Sequence, residues 1–198
     1  MKNIFSFPVL GVFTLGYLAL GSFVFWGSGN TEFVIYVAVI IVIFAGTLAL
    51  HKVVQFPIWM LWLLSLWGLM HILGGAVHIG DHVLFAHRIF PLIDRGGDFY
   101  ILKYDQVVHF SLYGLVAVMS YHTVRQFFNI KKGGLMLATV AVLVSVGISG
   151  LNEIMEFFIS LGMENGVGGY DNTMLDMCSN LAGALLAMWA YMLVHKRR

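Results

Sequence analysis

Six apolar stretches, each close to the length of a membrane crossing, organise the chain: roughly 5–26, 33–50, 57–80, 105–124, 135–161 and 176–194. A helix rises about 1.5 Å per residue, so about 20 residues cross a hydrocarbon core of about 30 Å. The first stretch carries no charge from Ile4 to Asn30. It is long and aromatic for a signal peptide, whose apolar core spans only about 7–15 residues, so a retained first helix is expected. Polar and turn-forming residues gather between the stretches. The connection 81–104 holds Asp81, Pro91, Asp94, Arg95, Gly96, Gly97 and Asp98 and is expected to be a loop, with a short interfacial or re-entrant piece at Val83–Phe90. The connection 162–174 is rich in glycine. No internal repeat is evident, which argues against an inverted-repeat transporter.

Composition fixes the class. Of 198 residues, 60% are hydrophobic and only 11% charged, whereas a water-soluble domain carries about a quarter charged residues. The pattern therefore implies an all-α polytopic membrane bundle, a single integral membrane domain over 1–198. It excludes a cytoplasmic enzyme or a nucleic-acid binder. Cys178 is the single cysteine, so the chain forms no internal disulfide and no CxxC site.

Charge placement gives orientation. With six crossings, Lys2, Lys52, Arg125, Lys131, Lys132, Lys196, Arg197 and Arg198 fall on one side, eight of the eleven basic residues. Basic residues in short loops mark the cytoplasmic side, so both termini are expected there. All ten acids then fall in outer loops or the outer part of a span, and His71, His78, His82, His87 and His109 fall with them. The rule for Lys and Arg does not require that asymmetry in acids.

Helical spacing sharpens it. His71 and His78 are seven apart and would share a face of the third helix; Asp105 and His109 are four apart; Glu153 and Glu156 three apart; Asp176 and Asn180 four apart. An ionised group in the outer hydrocarbon costs several kcal/mol unless it faces a partner, water or the bundle interior. Convergence of the four pairs is the least costly arrangement. Carboxylate and imidazole together suit Zn²⁺, Mn²⁺ or Fe²⁺, and bundles build such sites from residues at helical spacing on facing helices. On this reading His71, His78, Asp105, His109 and Glu153 are the metal ligands, with Glu156 or Asp176 as general base or supporting group. The plainer readings are that Asp105 caps the fourth helix and that Asp171, Asn172 or Thr173 caps the sixth. Glu153 and Glu156 resist a plain reading, because neighbouring acids in an apolar helix repel unless one is protonated or a cation lies between them. The tryptophans read as interfacial belts, the methionines as filler, and Gly11, Gly16, Gly21, Gly46, Gly147 and Gly150 as close helix contacts.

The segments His71-Ile-Leu-Gly-Gly-Ala-Val-His78, Tyr104-Asp-Gln-Val-Val-His109-Phe110, Asn152-Glu-Ile-Met-Glu156-Phe157 and Asn172-Thr-Met-Leu-Asp176-Met-Cys-Ser-Asn180-Leu-Ala-Gly183-Ala184 together resemble the YjdF-like inner-membrane proteins of bacteria. A weaker similarity reaches the VanZ-like proteins linked to glycopeptide resistance, through the Asp-x-x-x-His-Phe start, the acidic helix and the Asp-x-x-x-Asn-x-x-Gly end. The match covers about residues 57–190 and departs at Asn172, where an acid is expected. It implies a multi-pass protein of the bacterial inner membrane and supplies no reaction.

Three functions fit. A metal-dependent hydrolase or transferase acting on a lipid or envelope precursor uses the pairs at headgroup depth, with membrane lipids as surroundings. A transporter or channel for a small cation, proton or polar solute needs a polar path inward, where the spans offer little beyond Thr47, Ser65, Ser120, His122, Thr139 and Ser145. A non-catalytic membrane subunit would pair the acids with Arg88, Arg95 and Lys103.

Overall fold

The computed structural model describes residues 6–29, 31–97, 99–162 and 169–196. Among the described residues, six helices are long and apolar enough to cross a membrane: α1 Phe7–Ser28, α2 Thr31–Val54, α3 Ile58–Ala76, α4 Tyr104–Phe127, α5 Leu135–Gly162 and α6 Tyr170–Lys196. Val12, Leu15 and Phe23 of α1 and Leu143, Leu151 and Phe158 of α5 are exposed, a surface suited to lipid rather than water. The chain divides into two compact units, Met1–Phe85 and Ala86–Arg198.

In the first unit, small side chains bring α1 and α3 together. Thr14 Oγ1 lies 2.6 Å from Ser65 Oγ, and Tyr17 donates its hydroxyl to the Ser65 carbonyl at 2.9 Å. A Cβ on Gly68 would stand 2.5 Å from the Tyr17 hydroxyl, and one on Gly21 2.7 Å from Ile72. Of the glycines expected at close contacts, Gly21 is one, while Gly11, Gly16, Gly46, Gly147 and Gly150 face open space.

The third helix is shorter than its apolar run. It ends at Ala76, with Val77 extended (φ −90°, ψ 131°). Gly74 and Gly75 weaken the last turn and admit the rings of Phe85 and Phe33, which stack 6.1 Å apart. His78 therefore leaves the helix and pairs with Val83 in a two-stranded ladder, β1 His78–Ile79 with β2 His82–Val83. The expected shared face of His71 and His78 does not exist.

The expected loop 81–104 is also more ordered than its composition suggested. After a 3-10 turn at Leu84–Ala86, β3 Arg88–Gly96 pairs antiparallel with β4 Phe99–Lys103. Every residue of β3 is exposed, so neither face had to alternate, and the period-two signal of a half-buried strand was missing. Gly96 and Gly97 have positive φ, and the Gly96 N–H donates to Asp94 Oδ1 at 2.9 Å. Arg88 lies 4.7 Å above the Tyr100 ring and 3.8 Å from Asp94.

Candidate functional site

The hairpin feeds directly into α4. Gln106 fixes the junction: its Oε1 accepts from the Leu102 and Lys103 N–H groups at 2.6 and 3.2 Å, and its Nε2 donates to the Tyr100 carbonyl at 2.9 Å. Lys103 is the residue flanking the helix and Tyr104 its first member. Asp105 thus lies inside the first turn and is not the cap. One turn on, His109 Nε2 stands 3.7 Å from Asp105 Oδ1.

The sixth helix begins at Tyr170, six residues before its apolar run, so Asp171, Asn172 and Thr173 lie within its first turn. The early start places Asn172, Asp176 and Asn180 on one face at successive four-residue steps. Asp176 and Asn180 are fully buried, at 1% and 0% exposure. Small residues let this face meet α4. A Cβ on Gly183 would collide with the Phe110 carbonyl, and one on Gly114 would come 3.0 Å from the Gly183 carbonyl. The fifth helix joins through Ser145, whose hydroxyl donates to the Tyr113 carbonyl at 2.7 Å.

These contacts gather polar groups around His109. Its Nδ1 lies 3.1 Å from Asn180 Oδ1 and 3.6 Å from Glu153 Oε1. An amide oxygen only accepts, so Nδ1 is the donor to Asn180, and Nε2 faces Asp105. Asn172 donates to Asp176 Oδ2 at 2.7 Å and accepts from Lys103 Nζ at 3.0 Å. Asp176 Oδ1, Glu153 Oε1 and Asn180 Nδ2 are buried and find no hydrogen-bond partner among the described residues. Glu156 accepts from Asn152 at 2.7 Å, which turns the Asn152 amide toward the acidic end of α5.

One ligand atom each from Asp105, His109 and Asp176 lies within 4.8 Å of the others. Glu153 adjoins this cluster through His109. His71 and His78 belong to the first unit, whereas Asp105, His109 and Asp176 belong to the second. The His71 ring lies between Tyr36, Trp67 and Phe85, at 5.6, 5.5 and 5.0 Å. Asp176, expected as a base, stands instead with the candidate ligands. Sequence spacing left Lys103 and Asn172 outside the candidate set. Their signal was the position of Lys103 two residues before Asp105 and of Asn172 one turn before Asp176.

An orphaned, desolvated carboxylate oxygen costs several kcal/mol without a counter-charge or donor. Two acids and an imidazole nitrogen within 4.8 Å of one another are a donor set that a divalent cation satisfies. No curated protein and no solved structure matches the chain. Residues 9–197 match one family model, so the chain belongs to the family described as predicted membrane proteins of DUF2238.

Proposed function

We propose that this is a membrane enzyme, a metal-dependent hydrolase or transferase acting on a lipid or envelope precursor. Asp105, His109 and Asp176 hold the ion, which is Zn²⁺, Mn²⁺ or Fe²⁺. The observation that carries this reading is that one ligand atom each from Asp105, His109 and Asp176 lies within 4.8 Å of the others, while Asp176 Oδ1 is buried with no hydrogen-bond partner among the described residues. Three protein ligands leave coordination positions open, the hallmark of a catalytic rather than a structural site. A divalent ion there supplies Lewis acidity and an acidified water. The chain's own residues do the rest. Asn180 orients the His109 ring, Asn172 holds Asp176 Oδ2, and Glu156, one turn beyond Glu153, would serve as the general base. Both termini are cytoplasmic in the bacterial inner membrane, and the site opens outward. The basic residues of the short loops support that orientation, and the four motifs support a YjdF-like protein.

Metal analysis of the purified full-length chain tests the reading. The expected result is one divalent transition metal per chain after equilibration with Zn²⁺, Mn²⁺ or Fe²⁺, lost in His109→Ala and Asp176→Ala. Failure of all three ions to bind the wild-type protein would overturn it.

A further inference from the structure

Resting on that reading of the site, we propose that the group bound beside the ion is a phosphate, gripped on its far side by the Lys103 ammonium. Lys103 is only 9% exposed. Its Nζ donates to Asn172 Oδ1 at 3.0 Å, but a neutral amide satisfies one of three N–H groups and none of the charge. Among the described residues, no carboxylate oxygen lies within 4.0 Å of Nζ. The ammonium is instead linked to Asp176 through the Asn172 amide, which donates to Asp176 Oδ2.

Occupation of the site changes the local charge. A divalent ion on Asp105 and Asp176 consumes both negative charges, leaving Lys103 without a counter-ion among the described residues. The N-termini of α4 and α6 lie at the same end, at Tyr104 and Tyr170, and each acts as about half a positive charge. Glu153 stands on the opposite, Nδ1, side of His109. The Lys103 side of the loaded site therefore attracts an anion. Asp105, 23% exposed at its side chain, provides the open edge. A carboxylate offers only two closely spaced oxygens. A phosphate ester or inorganic phosphate offers three or more in a tetrahedron, enough to meet ion, ammonium and helix N–H groups together. The chemistry is shared by a lipid headgroup and by free phosphate.

The test uses Mn²⁺-loaded full-length protein in phosphate-free detergent. Electron paramagnetic resonance measures bound Mn²⁺, and ³¹P relaxation measures phosphate close to it. Inorganic phosphate and dihexanoyl phosphatidic acid are titrated separately. Tighter binding of the phosphatidic acid identifies a lipid source, and equal or tighter binding of inorganic phosphate a free one. Lys103→Met should weaken phosphate binding about tenfold or more, the worth of one charge-assisted hydrogen bond, with Mn²⁺ affinity retained. Acetate should fail to displace phosphate from the wild-type protein, a readout independent of how the variant folds. Bound Mn²⁺ without ³¹P relaxation, undiminished phosphate binding in Lys103→Met, or displacement by acetate would overturn the phosphate proposal alone. Absence of bound Mn²⁺, Zn²⁺ and Fe²⁺ would remove the metal site as well.

Discussion

Around His109 two asparagines each hold one atom of a candidate ligand. Asn180 takes the Nδ1 proton, Asn172 covers Asp176 Oδ2, and Asp176 Oδ1 is left open. Such partners usually contribute about 10–100-fold to metal affinity. Asn180→Leu is therefore expected to weaken ion binding by that factor, measured by competition with a chelating dye. Asp176→Asn should separate folding from function. It keeps the side-chain volume, removes one of two facing charges, and is expected to raise the melting temperature of the ion-free protein by about 2–4 °C. The same substitution should weaken ion binding at least tenfold; unchanged binding would remove Asp176 from the ligand set. Much of this cluster was legible in the sequence. The four-residue step from Asp105 to His109 and from Asp176 to Asn180 needs only a helix to bring each pair onto one face. Lys103 and Asn172 were not legible, because their importance comes from a contact across 69 positions.

Helix existence was easy to read, since an apolar run of membrane length permits little else. Helix ends were harder. Hydropathy placed the end of α3 too late, because Val77 and Ile79 look as apolar as the helix before them, while the rings of Phe33 and Phe85 already occupy the space at Gly74 and Gly75. It placed the start of α6 too late for the opposite reason: Asp171 and Asn172 look like loop residues, yet Asn172 is held by Asp176 and Lys103. The seam between α4 and α6 makes a prediction at this scale. Gly183→Ala puts a methyl against the Phe110 carbonyl and should destabilise the protein by about 1–3 kcal/mol, read from unfolding in mixed micelles. Ion affinity should fall with it, because the displaced helix carries Asp176 and Asn180. Gly147→Ala meets nothing within 4 Å and should be neutral or stabilising by up to about 1 kcal/mol.

For the whole molecule, the membrane assignment rests on composition and on six helices that expose large apolar side chains. With an even number of crossings the two termini would share a side, and the proposed orientation puts that side in the cytoplasm. Cysteines introduced at residues 3 and 198 should therefore react with a membrane-impermeant maleimide in inverted vesicles and stay protected in intact spheroplasts. Labelling at opposite faces would break the six-span topology. The hairpin has a mechanical consequence. Arg88 is the register partner of Lys103, and Lys103 both flanks α4 and grips Asn172 on α6. Tension applied to Ile89, Phe90 or Leu92 is thus transmitted through a single lysine to Asn172 and on to the Oδ2 oxygen of Asp176. A small antibody fragment clamped on that exposed strand would thus reach the buried cluster mechanically without entering the membrane.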